Sequence, residues 1–113
     1  MAEEKVTPIL RINNHETAVA WYRRLGFEQT GLHRFEPGFP AFVTVERGPM
    51  RLFLSEHKGD ARPDTLIYLS VNDVHPIAKE FGETVEEAPW GLEIQLRDPD
   101  GNRIRVGSPK GQK

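Results

Sequence analysis

The chain has 113 residues, a formal net charge of −2 and no cysteine. That length makes one domain with enough apolar content for a core, and the missing cysteines exclude a disulfide scaffold, a thiolate nucleophile and a cysteine metal site. The near-balanced charge, without a basic stripe, argues against nucleic acid and acidic membranes as partners; no apolar run reaches membrane-spanning length and residues 1–5 lack a signal peptide's basic and apolar regions, so the expectation is a soluble cytoplasmic protein.

Residues 6–12 read as a first strand. Asn13 and Asn14 break it, and either can cap a helix. A helix follows from about His15 to Leu25. Ala18, Val19, Tyr22 and Leu25 share one face, while Arg23 and Arg24 suit the solvated side and the negative end of the helix dipole. Gly26 is a stop. Residues 27–32 read as a second strand. Residues 34–40 form a loop with two phenylalanines, Phe35 and Phe39, an unusual composition for a solvated connector. Residues 41–46 and 50–55 are a third and a fourth strand, and 56–63 is a polar connector.

The plan then restarts. Residues 65–71 read as a strand and Asn72-Asp73 as a cap. Val74, Ile77, Ala78 and Phe81 mark the apolar face of a second helix, with Pro76 in its first turn and Gly82 after its end. A short strand at about 84–87 leads into a hairpin. There Leu92, Ile94 and Leu96 alternate with Glu93, Gln95 and Arg97, Asp98-Pro99-Asp100-Gly101 makes the turn, and Ile104 and Val106 resume against Arg103 and Arg105. Leu10-Arg11-Ile12-Asn13-Asn14 and Leu69-Ser70-Val71-Asn72-Asp73 repeat one strand-then-cap pattern, although chance similarity between two strand-helix boundaries competes with duplication over so short a match. The reading is an α+β fold in which a βαβββ unit occurs twice. A single domain would cover residues 1–113, with modules at about 5–56 and 64–108 and a tail at 109–113.

Catalytic constellations are weak. Ser55 and Ser70 have no nucleophile elbow or partner histidine. Asp98 and Asp100 fit turn chemistry better than general acid-base work. His15, His33, His57 and His75 show neither HxxxH nor HxH spacing, and no glycine motif cradles phosphate.

Ala20-Trp21-Tyr22-Arg23-Arg24-Leu25-Gly26-Phe27 and Asp98-Pro99-Asp100-Gly101-Asn102 resemble the glyoxalase/bleomycin resistance/dioxygenase superfamily, the vicinal oxygen chelate fold. Within it, Pro89-Trp90-Gly91 leading into Leu96-Arg97-Asp98-Pro99, and Pro8 in the first strand, are similar to the bleomycin resistance proteins. The resemblance covers about residues 6–109. It implies paired βαβββ modules forming an open cup-shaped sheet, usually in a homodimer. Enzymes of this fold hold a divalent metal with histidine and glutamate. The matching positions here are Thr7, Phe53, Leu66 and Arg105, which are poor ligands for such an ion. The expectation is therefore no metal, no cofactor and no enzymatic activity.

Strand alternation would place Leu66, Tyr68, Ser70, Glu93, Gln95, Arg97, Arg103 and Arg105 on the cup side, with Phe42, Arg51, Phe53 and Ser55 from the first module. Mixed aromatic and polar groups suit a large, flat, partly polar ligand. The resemblance implies that Trp90 and a loop phenylalanine sandwich a planar ring; Phe39 is the match, with Phe35 and Phe42 as competitors. The candidate ligand-binding residues are thus Phe39, Phe42, Phe53, Ser55, Tyr68, Trp90, Gly91, Glu93 and Arg105. Glu93 and Arg105 could alternatively form a surface ion pair across the hairpin. The function implied is sequestration of a bleomycin-like or other planar antibiotic, giving resistance. The alternatives are a lyase, isomerase or dioxygenase with a displaced metal site, and an accessory binding protein in natural-product biosynthesis. The modest charge departs from the strongly acidic resistance proteins and admits a less cationic ligand than bleomycin.

Overall fold

Strand β1 (Ile9–Arg11) leads into helix α1 (His15–Arg24), and strands β2 (Glu28–His33), β3 (Phe42–Arg47) and β4 (Met50–Ser55) follow. The succession repeats as β5 (Leu66–Ser70), α2 (His75–Phe81), β6 (Glu86–Ala88), β7 (Gly91–Arg97) and β8 (Arg103–Ser108). This computed structural model describes residues 4–110, so the sequence readings at residues 1–3 and 111–113 lie outside it. The strands form two four-stranded sheets, ordered β1-β4-β3-β2 and β5-β8-β7-β6. In each sheet the first and last strands pair in parallel and the other neighbours are antiparallel. The register makes the repeat residue-specific. Ile9 pairs with Phe53 as Tyr68 pairs with Arg105, and Phe42 with Ser55 as Glu93 with Gly107. Ile12 donates its amide to the Ser55 carbonyl as Val71 does to Gly107. The two matching pentapeptides therefore occupy equivalent places.

Local chemistry accounts for the element ends. Asn14, the second asparagine, caps α1 by accepting the Thr17 amide at 2.9 Å, a bond that contributes about 1 kcal/mol. Gly26 leaves that helix at φ +96°, and Gly82 ends α2 at φ +68°, conformations that cost glycine nothing. Helix α2 has no side-chain cap at Val74. Asp73 instead takes the His75 amide, and Ser108 Oγ takes that of Val74. β1 is shorter than the sequence predicts, because Pro8 has no N–H and joins β4 only through its carbonyl, which accepts the Phe53 amide at 2.9 Å.

Alternation buries Leu10, Val43, Val45, Leu52 and Leu54 of one sheet, and Leu69, Ile94, Leu96, Ile104 and Val106 of the other, in a single apolar core with the helices. Each fully buried Leu, Ile or Val contributes about 1.5–3 kcal/mol. Two junctions tie the repeats together. Trp21 packs on Phe81 with ring centroids 5.2 Å apart, and Arg24 lies over the same ring and reaches Glu80 at 2.9 Å. At the β7–β8 turn, Asp98 Oδ2 accepts the buried Tyr22 hydroxyl at 2.7 Å and Asn102 Nδ2 at 3.0 Å, while its Oδ1 accepts the Asp100 and Asn102 amides. Asn102 also bonds the Arg11 carbonyl and the Thr65 amide. Burial, with the Asp98 charge added, holds the Tyr22 phenol far above its usual range, so it stays a donor. A buried polar network satisfied to this extent fixes one docking geometry.

The described residues have a radius of gyration of 14.9 Å and extents of 49 × 36 × 21 Å. A compact chain of this length would have a radius near 13 Å. The two open sheets form a slab and do not close on one another.

Candidate functional site

On the outer face of the second sheet, two side chains converge on one carboxylate. Glu93 Oε2 accepts the Tyr68 hydroxyl at 2.9 Å and the Trp90 indole N–H. Tyr68 reaches across because Gly107 on the intervening strand is bare; a Cβ there would collide with the phenol. The indole is thus tethered although Trp90 is 68% exposed. The Trp90 N–H, helped by the Tyr68 hydroxyl and the Arg105 charge, holds the Glu93 carboxyl below its usual range against slight burial. Burial, with the bond to Glu93, pushes the Tyr68 phenol up. A cleft of about 460 Å³ opens beside Trp90, lined by Tyr68, Ser70, Val71, Gly107 and Ser108 among others. Gly91 is buried, and a Cβ on it would stand 2.5 Å from the Ser108 carbonyl oxygen. Its service is close backbone approach, which fixes the strand that follows Trp90.

The first sheet carries different groups at the equivalent places. Phe42 and Phe53 are half-buried with ring centroids 5.0 Å apart, and Ile9 pairs with Phe53. Ser55, expected on the open face, is fully buried. The Ser55 hydroxyl donates to Asp60 at 2.5 Å and accepts the His57 amide, so its bonding capacity is used within the chain. Phe39 lies in the β2–β3 loop, 47% exposed. It precedes Phe42 by the same three residues that separate Trp90 from Glu93, so the two aromatics are counterparts. Phe35 points elsewhere, edge-on to His33.

Phe39 borders its own cleft of about 530 Å³, with Arg11, His15, Arg34, Glu56 and Lys58 also on its walls. This cleft and the one beside Trp90 have no lining residue in common. Glu56 holds the local frame together. Its Oε1 accepts the Ala41 amide at 2.9 Å, and its Oε2 accepts the His15 amide at 2.8 Å and meets the His15 ring at 2.9 Å. Burial pushes the Glu56 carboxyl up, but these bonds outweigh it and the net shift is downward. Sequence reasoning did not single out Arg11, Arg34 or Lys58. They come from the end of β1, the β2–β3 loop and the segment after β4, and no local spacing links them. The parallel pairing of β1 with β4, and the antiparallel pairing of β2 with β3 and β3 with β4, bring them to one end of the sheet.

Arg105 sits opposite Gln95 and reaches its Oε1 at 3.4 Å. Glu93 sits opposite Gly107, so the cross-hairpin ion pair does not form. Arg97 and Arg103 instead share Asp64. By the same register Thr7 is the counterpart of Leu66, and Phe53 of Arg105. These positions offer a hydroxyl, an alkyl chain, a ring and a guanidinium, a donor set that does not fit a divalent metal. Among the described residues no three His, Asp or Glu side chains converge as ligands. No helix of the described residues is long and apolar enough to cross a membrane.

A family model described as "Glyoxalase superfamily protein" matches residues 1–112. Among solved structures, a bleomycin-binding protein complexed with bleomycin is similar over 96% of this chain and 100% of its own, with a TM-score of 0.73 and 21% identity. An antibiotic-binding protein from Streptomyces sp. CB03234 is similar over 97% of this chain and 99% of its own (TM-score 0.75, 20% identity). A lactoylglutathione lyase from Agrobacterium tumefaciens is similar over 96% of each chain (TM-score 0.70, 20% identity). One curated relative, a methionyl-tRNA formyltransferase from Albidiferax ferrireducens, is 28% identical over 93% of this chain. The chain spans 32% of that relative's length.

Proposed function

The chain belongs to the glyoxalase superfamily, and from that premise we propose that it is a binding protein that sequesters a planar aromatic natural product without turning it over. The observation that carries this reading is Trp90, a largely exposed indole held by Glu93 beside an open cleft. An exposed aromatic fixed in one orientation loses little entropy when a ring stacks on it, and stacking contributes about 0.5–1.5 kcal/mol beyond area burial. Similarity in fold to proteins that bind bleomycin and other antibiotics supports the same reading. The donor set at Thr7, Phe53, Leu66 and Arg105 favours binding over the chemistry of a metal-dependent lyase.

The working unit in this reading is a homodimer. The extended slab, its open sheets and the separate clefts of Phe39 and Trp90 support it. A ligand held between Phe39 of one protomer and Trp90 of its partner would be enclosed only in the pair. Light scattering at micromolar concentration should give twice the chain mass; a monomer would overturn this arrangement. For the ligand, Trp90 fluorescence in a Trp21→Phe background reports stacking. Titration with planar antibiotics, metal-free and copper-loaded bleomycin among them, should quench the emission. A Trp90→Ala variant that binds a ligand of the wild-type protein equally well, read by calorimetry, would overturn the stacking role.

A further inference from the structure

We infer that the cleft at Phe39 is an oxyanion subsite, and that the ligand is an aromatic ring bearing a carboxylate or phosphate. This rests on the small-molecule reading above and names the chemical class that it takes. Three cations, Arg11, Arg34 and Lys58, line the cleft with a single carboxylate, Glu56. Glu56 offsets one of these charges but makes no ion pair with any of the three. Its two oxygens are occupied by the amides of Ala41 and His15 and by the His15 ring. Arg11 is oriented by one bond, from Nη1 to the Glu56 carbonyl at 2.6 Å, which leaves its other N–H groups free to meet a ligand.

Arg34 gives the most direct sign. Its Nε is buried and has no hydrogen-bond partner among the described residues, and neither Arg34 nor Lys58 forms an ion pair there. Buried donors are almost always satisfied. A guanidinium presents parallel N–H groups that match two oxygens of a carboxylate or phosphate. Oxygen atoms in this cleft would meet the guanidinium groups of Arg34 and Arg11 and the Lys58 charge on its walls, while Phe39 at the rim faces the ring that carries them. The cleft beside Trp90 has no such surplus of cations on its walls. The oxyanion end of the ligand is thus assigned to Phe39 and the ring end to Trp90.

The test compares naphthalene-2-carboxylate, 2-naphthyl phosphate and the cation 2-naphthylmethylammonium, with side-chain N–H resonances of arginine followed by NMR and Trp90 by fluorescence. The two anions should bind at least tenfold more tightly than the cation, shift the Arg34 Nε–H resonance and weaken as sodium chloride rises. Arg34→Gln should cost the anions tenfold or more, while Arg23→Gln, on the exposed side of α1, should cost nothing. Whichever anion binds more tightly identifies the source of the oxygens. Equal affinity for anions and cation, with no effect of Arg34→Gln, overturns the oxyanion subsite; Trp90 quenching in that same titration would leave the aromatic reading standing. Shifts at Arg34 without any change at Trp90 would uphold the subsite and overturn the stacking proposal.

Discussion

Phe39 and Trp90 stand at the same point of the two repeats, yet the groups around them differ. Beneath Trp90 the outer face carries Tyr68, Glu93 and Arg105; at the same register positions near Phe39 it carries Ile9, Phe42 and Phe53. At the strand ends, Arg11 is the counterpart of Ser70, and Glu56 that of Ser108. The buried faces diverge far less, with Leu10 against Leu69 and Ile12 against Val71 all in the core. Core packing constrains one face of each strand, and the outer face is free to change. The repeated unit thereby carries two unlike outer faces on one scaffold.

Glu56 and Ser108 break the comparison most sharply, since each takes the amide at the start of its helix, His15 in one case and Val74 in the other. Glu56→Ala strands two backbone donors and the His15 ring, and should cost about 3 kcal/mol in urea unfolding. Ser108→Ala strands one donor and should cost about 1 kcal/mol. Acid adds a second distinction. The folded Glu56 carboxyl titrates below its unfolded value of 4.5, so its contribution is present above that value and is lost as pH falls through the folded one. The stability margin of the wild type over Glu56→Gln should shrink below pH 4.5, and a margin constant with pH would show that the charge plays no part.

Gly91→Ala comes next. The added methyl would press on the Ser108 carbonyl, a backbone atom that cannot swing aside. The expected loss is about 2 kcal/mol of overpacking strain. The counterpart Pro40 already carries a side chain, so Pro40→Ala should fall well short of that. Equal losses at the two positions, read from thermal unfolding, would mean that the tight approach is not particular to the second repeat.

Much of this asymmetry was beyond the sequence, although the scaffold was not. The alternation of Leu92, Ile94 and Leu96 against polar neighbours, and the pair of strand-then-cap pentapeptides, carry local information that pairing preserves. Strand β6 (Glu86–Ala88) has no alternation to mark it, and residues 6–8 look like strand although Pro8 removes a donor. Ser55 was expected to face a ligand; its partner Asp60 lies in a connector whose path no periodicity reveals. The positions of Glu56 and Arg34 depend on contacts between segments that only the pairing across β1, β4, β3 and β2 brings together. Trp90 could be singled out from its motif, but its tether to Glu93 needs Gly107 to be bare on the strand between, which is a property of register.

The smallest expected effect sharpens the comparison at its functional end. Tyr68 and Trp90 donate to the same Glu93 oxygen, while the counterparts Ile9 and Phe42 offer no such tether to Phe39. Tyr68→Phe removes one exposed donor and should change stability by no more than about 0.5 kcal/mol. The Trp90 bond persists in that variant, so its steady-state fluorescence anisotropy in the Trp21→Phe background should hold. Glu93→Ala removes the acceptor itself and should lower the anisotropy without unfolding the chain. If Tyr68→Phe lowers it equally, the carboxylate fixes the indole only with the phenol in place, and the orientation of the aromatic depends on a contact across three strands as well as on one within its own hairpin.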